Sequence, residues 1–131
     1  MPSKPSSRNS EGASMRQETQ ALMAEIGFLA GGHGYHREAE TICDALEVAL
    51  PGDGKPVIIR AFNRMNAGRP EEAAMLLEDA LARDIREADM VRAFLGLAHH
   101  LAGREADKRR VLGQVVDAGD PDAVRLARAL L

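Results

Sequence analysis

Beyond about residue 17, apolar positions recur every three or four residues, and each run ends at glycine, proline or both. That period belongs to helices with one buried stripe, and the interruptions belong to turns. Seven helices are predicted, over about 17–31, 36–49, 56–66, 70–83, 87–101, 104–118 and 121–130. Leu22, Ile26 and Leu29 mark the first at helical spacing. Ala39, Ile42, Cys43 and Leu46 mark the second. Pro51-Gly52-Asp53-Gly54 is a strong breaker. Pro56 and Pro70 suit first-turn positions, and Glu71 and Glu72 suit the positive end of the fourth helix dipole. Asp120-Pro121 reads as an N-cap followed by a first-turn proline. Val124, Leu126, Ala127, Leu130 and Leu131 make the last helix a natural cap. The opening residues are rich in Ser and Pro and have no apolar core, so 1–16 reads as a disordered lead and 17–131 as the folded domain.

The punctuation repeats. Gly34, Gly68 and Gly103 are separated by 34 and 35 residues. Seven positions before each stands a very small residue: Gly27, Ala61 and Gly96. Five positions after the first two stands alanine, Ala39 and Ala73, whereas Lys108 occupies that place in the third unit. Small residues let two antiparallel helices approach closely, and glycine between them permits a tight reversal. One such pair cannot bury its apolar side alone, so pairs stack. Over about 20–118 the pattern resembles the tetratricopeptide repeat. The expected fold is all-α, with about three tetratricopeptide-like helix pairs and a C-terminal capping helix. Lys108 predicts a splayed or partly rebuilt third unit.

In such a stack the first helix of each pair lines the concave wall. The third helix carries Val57, Ile58, Ile59, Ala61, Phe62 and Met65, which is more apolar surface than one stripe requires. Ile58, Phe62 and Met65 lie at i, i+4 and i+7. Counting by the repeat period, Phe28 and Leu97 match Phe62, and His100 matches Met65; Met90 leads the same face of the fifth helix. Phe28, Ile58, Phe62, Met65, Met90, Leu97 and His100 are therefore the candidate partner-binding groove. Its Phe and Met content suits an apolar helix.

Composition narrows the chemistry. Of 131 residues, 3% are aromatic and 45% hydrophobic, so Ala and Leu supply the apolar content, which favours helices over sheets. The net charge of −3 speaks against a dedicated nucleic-acid binder. Arg104, Lys108, Arg109 and Arg110 form a basic cluster, but Glu105 and Asp107 sit among them, and Glu105 can pair with Arg109 at i, i+4. Cys43 is the one cysteine, so no internal disulfide can form, which fits a reducing compartment. No apolar run is long enough to span a bilayer, so no membrane insertion is expected. His33, His36 and Cys43 are too dispersed for a zinc site. His99 and His100 point about 100° apart on a helix. Gly52-Asp53-Gly54-Lys55 lacks the spacing and the hydroxyl residue of a phosphate loop. No catalytic residue, metal or cofactor is expected, and the chain reads as a non-enzyme that holds another protein.

Two stretches carry a closer resemblance. The first runs from Leu22 to Glu40, in which Ala24-Glu25 leads into the turn Gly31-Gly32-His33-Gly34, and Glu38-Ala39 opens the second helix. The second runs from Phe94 to Gly103 and leads on to Asp120-Pro121-Asp122-Ala123. Together they resemble the tetratricopeptide-like needle-subunit chaperones of bacterial type III secretion. That resemblance implies a cytoplasmic protein cradling the amphipathic helix of the needle subunit, usually with a small helical co-chaperone, and preventing premature polymerisation. A generic tetratricopeptide adaptor and a translocator chaperone are the alternatives. Self-association of the free protein is possible through an uncovered apolar groove.

Overall fold

The computed structural model describes residues 5–131. Among them the chain forms seven helices: α1 (Pro5–Gly32), α2 (His36–Ala49), α3 (Lys55–Asn66), α4 (Pro70–Leu81), α5 (Ala88–Leu101), α6 (Glu105–Gly113) and α7 (Pro121–Leu130). The described residues contain no strand, only an isolated bridge between Asp53 and Arg86. The helices pair as α1–α2, α3–α4 and α5–α6. Successive pairs stack through α1 on α3 and α3 on α5, and α7 closes the end against α5. The fold is therefore all-helical and repeat-like. It departs from expectation at α1, which begins at Pro5 where a disordered lead was expected; residues 1–4 lie outside the described residues. α6 is also shorter, because at Gln114, Val115 and Ala118 the backbone bonds to carbonyls three residues back and tightens into turns.

The three repeat glycines make the same joint. Gly34, Gly68 and Gly103 have φ of +85°, +79° and +75°, a left-handed conformation that side chains resist. The residue after each glycine donates its N–H to a carbonyl five positions back, from Tyr35 to Ala30, Arg69 to Arg64 and Arg104 to His99, each at 2.8 Å. Each glycine donates to the carbonyl three back. This double bond pattern satisfies carbonyls that a helix end would leave unpaired.

Close approach is the second requirement. Ala39, Ala61 and Ala73 are wholly buried. At Gly96 on α5, a Cβ would lie 2.1 Å from Leu112 Cδ2 on α6, inside any permissible contact. Lys108 does not splay the third unit. Its stem is buried at 5% exposure, and its ammonium reaches Glu105 at 2.9 Å and lies 3.3 Å from His100 Nδ1. The long side chain thus runs along apolar surface and keeps its charge at the edge. Glu105 also pairs with Arg109 and Asp107 with Arg110, so three of the four cations in this cluster are engaged by its two carboxylates.

Polar groups fix how α3 sits on α2. Arg60 pairs with Glu40, Asp44 and Glu47 along α2, and Arg64 pairs with Glu40. Burial alone would make Arg60 easier to deprotonate, but these carboxylates outweigh it and hold the guanidinium charged. The loop after α2 has its own partner. Arg86 donates its N–H to Gly52 O at 2.9 Å, and Lys55 pairs with Glu87 at 2.6 Å. Glu87 in this pairing has φ +63°, an uncommon conformation for a non-glycine residue.

At the C-terminal end Asp120 Oδ1 accepts N–H bonds from Asp122 at 3.0 Å and Ala123 at 3.3 Å. Ala123 and Ala127 are buried against Ala93, Leu112 and Val115, as a cap requires.

Gly96→Ala is expected to lower stability in urea denaturation by about 1–3 kcal/mol, because Leu112 must be displaced. Gly113→Ala, where an added Cβ meets nothing within 4 Å, should be neutral or stabilising by up to about 1 kcal/mol. Equal effects at the two positions would remove close packing as the explanation.

Candidate functional site

The first helices of the three pairs meet on one side of the stack. α1 and α5 do not pack directly on each other, yet the Phe28 and Phe94 rings lie 6.2 Å apart over α3. Phe62 on α3 completes the group, 5.6 Å from Phe28 and 6.2 Å from Phe94, both in edge-to-face contact. The rings of α1 and α5 thus meet across α3, on one side of the row. Edge-to-face pairs place a positive ring edge against a negative face and add stability beyond their buried area.

Beside this cluster lies an open hollow of about 340 Å³. Ala21, Ala24 and Phe28 from α1, Ile58 from α3, and Met90 and Phe94 from α5 line it. Glu25, Lys55 and Glu87 are its charged members, and Lys55 and Glu87 bridge α3 to the start of α5. The small side chains of Ala21 and Ala24 leave the space; Phe28, Phe94 and Met90 form its walls. Apolar concavities of this size accept side chains of a partner or small ligand.

The candidate residues divide. Phe28, Ile58 and Met90 come together in the hollow, and Phe62 joins through the ring cluster. Ile58 and Met65 were expected on an open wall, but they are 2% and 7% exposed. Both belong to the main core with Leu77, Val91 and Leu95, so Met65 is a packing residue and only an edge of Ile58 reaches the hollow. The second apolar stripe of α3 is covered by its neighbours on two sides. Leu97 packs against that same core, and His100 lies apart from the hollow, exposed beside Lys108.

Phe94, Ala21 and Ala24 were not among the candidates. The signal for Phe94 was present: Met90, Phe94 and Leu97 repeat the i, i+4, i+7 spacing of Ile58, Phe62 and Met65. Counting back from the turn glycines matched Phe62 to Leu97 and passed over the ring one turn earlier. Ala21 and Ala24 carry no signal of their own, since alanine lines a hollow by being small.

The other polar candidates are structural. The ring of His36 donates from Nδ1 to Asn63 Oδ1, while Asn63 Nδ2 donates to the His36 carbonyl, so the pair fastens α2 to α3. Cys43 is buried, and burial pushes its thiol up to about 12; Arg60 opposes this, and Glu40, Glu47 and Asp44 add to it. A thiol held protonated is a poor nucleophile. Among the described residues no three His, Cys, Asp or Glu side chains converge on a common point, and no helix is long and apolar enough to cross a membrane. Compared with known proteins, the chain matches no family model and no curated protein sequence.

His99 is the buried exception. It is 2% exposed, neither ring nitrogen has a hydrogen-bond partner among the described residues, and Nε2 lies 3.7 Å from Glu78 Oε1. Burial lowers its pKa below the ordinary 6.5; Asp107 and Glu78 oppose that shift, and Arg104 and Arg110 add to it. The unfolded chain therefore takes up the proton first. Stability from neutral His99 is full above the ordinary histidine range and is lost as pH falls through it. The urea midpoint is expected to drop between about pH 7 and about pH 5. His99→Leu should flatten that drop, and an unchanged pH profile in His99→Leu would exclude His99 as its source.

Proposed function

We propose that this chain is a holding protein whose concave hollow receives the apolar side of a partner helix, and that it acts as a cytoplasmic type III secretion chaperone for the needle subunit. A small helical co-chaperone completes the complex in this reading. The observation that carries it is the hollow itself, built from α1, α3 and α5, with Ala21, Ala24, Phe28, Ile58, Met90 and Phe94 as its apolar lining and Glu25, Lys55 and Glu87 as its charged members. Burying two or three apolar side chains there gives about 1.5–3 kcal/mol for each. The resemblance of the stretches Leu22 to Glu40 and Phe94 to Gly103, with Asp120-Pro121-Asp122-Ala123, to that chaperone family supplies the choice of partner.

The physical logic is one of protection. A subunit that polymerises through an apolar helix face must have that face covered until it is delivered, since a self-complementary patch propagates into fibres. The met, aromatic and alanine surfaces of the hollow suit this task, because Met side chains adapt to the shape presented to them. The Lys55–Glu87 pair beside them offers both signs of charge for orienting the helix.

Co-expression with a candidate needle subunit should give a soluble complex. Ala21→Trp fills the hollow from an exposed position, and Met90→Lys places a charge in its wall; each should weaken the complex at least tenfold. Val48→Lys, on an exposed position of α2, should leave it unchanged. A complex that tolerates both hollow variants, or that depends on Val48, would rule out this surface.

A further inference from the structure

The helices that build the hollow carry an unmatched negative charge. From residue 17 onward, the Lys and Arg side chains of α1, α3 and α5 are Lys55, Arg60, Arg64 and Arg92. Each is already engaged by a carboxylate: Lys55 by Glu87, Arg60 and Arg64 by Glu40, and Arg92 by Asp89. Glu18 and Glu25 on α1 differ from these. Both are exposed, and neither carboxylate has an ion pair or hydrogen bond among the described residues.

Glu25 is the one that matters for the hollow. It is among the lining residues, four positions after Ala21 and three before Phe28. The other charged members, Lys55 and Glu87, neutralise each other at 2.6 Å. The hollow therefore presents a single unmatched charge beside its apolar lining, and that charge is negative. A second hollow of about 270 Å³ shares Ala21 and Lys55 with the first and adds only Gln17, Gln20 and Leu50, which are neutral. No free cation is supplied there to offset Glu25.

An occupant that seats apolar side chains in the hollow brings the border of its own apolar stripe against Glu25. An acidic border would set like charges together as water is squeezed out; a basic border completes an ion pair. We infer, resting on the reading of the hollow as a helix-binding surface, that the helix it receives is a basic amphipathic one, with a Lys or Arg beside the apolar stripe that pairs with Glu25. The net charge of −3 on the whole chain gives cations only a diffuse attraction; Glu25 places that attraction at the edge of the apolar lining.

Two synthetic helical peptides, titrated against the full chain, test this. They share one Leu stripe and differ only at the positions bordering it, Lys in one and Glu in the other. The Lys peptide should bind at least about threefold more tightly, and its advantage should shrink as NaCl rises from about 0.05 to about 0.5 M. Glu25→Gln should remove most of the preference, and Glu25→Lys should invert it. Asp79→Lys makes the same change of charge at an exposed position of α4 and should leave the preference in place. Equal binding of the two peptides, tighter binding of the Glu peptide or binding of neither overturns the proposal. So does a preference that Asp79→Lys shifts as far as Glu25→Lys. Binding that Ala21→Trp abolishes but Glu25→Lys does not alter would keep the hollow as a binding surface and remove its charge requirement. A preference carried by Glu25, with no complex formed by the needle subunit, would keep the charge requirement and remove that partner.

Discussion

Everything in this fold depends on how closely the two helices of a pair can lie. Gly96 sits where a methyl group would overlap Leu112, and Ala39, Ala61 and Ala73 are buried without remainder. Closeness of this order needs small side chains at the crossing and a reversal short enough to keep the helices together. The left-handed glycines at Gly34, Gly68 and Gly103 provide that reversal, each with the same pair of backbone hydrogen bonds. Because the joint is the same three times, the first helices of the pairs fall in a row. On one side of that row their long side chains converge. The Phe28, Phe62 and Phe94 cluster and the hollow beside it are consequences of that geometry.

Apolar and polar contacts divide the work. Apolar packing between α3, α4 and α5 forms the main core, with Leu77, Val91 and Leu95 at its centre. Side-chain pairing then fixes orientation between repeats. Arg60 and Arg64 reach back to the acids of α2, and Asn63 and His36 exchange bonds one turn away. Exposed ion pairs contribute little individually, but several sharing Glu40 and Arg60 constrain one arrangement of α3 on α2. The paired loops at Gly52 and Arg86 do the same at the other end of α3.

The parts visible in the sequence are those set by local stereochemistry. A positive φ demands glycine, a helix start favours proline or aspartate, and both leave marks at Gly34, Gly68, Gly103, Pro70 and Asp120. Parts set by tertiary contact were less legible. Ile58 and Met65 have the same apolar character as a groove wall, and only their neighbours show that they are core. Phe94 follows a helical spacing of its own, out of step with the glycine period. The loop before α3 reads only as a breaker because its partner at Arg86 is more than thirty residues away. Lys108 reads as a disruption because sequence does not reveal that a lysine stem can lie along apolar surface with its charge at Glu105. The helical state of residues 5–16 carries no apolar period to announce it.

In the proposed role, the concave hollow between α1, α3 and α5 takes the apolar side of a partner helix. Methyl-detected NMR with a helical peptide from the needle subunit measures this most directly. Binding there shifts the methyl signals of Met90 and Ile58 and leaves those of Val48 and Val124 where they are. Shifts centred on Val48 or Val124 with Met90 and Ile58 unmoved would contradict it.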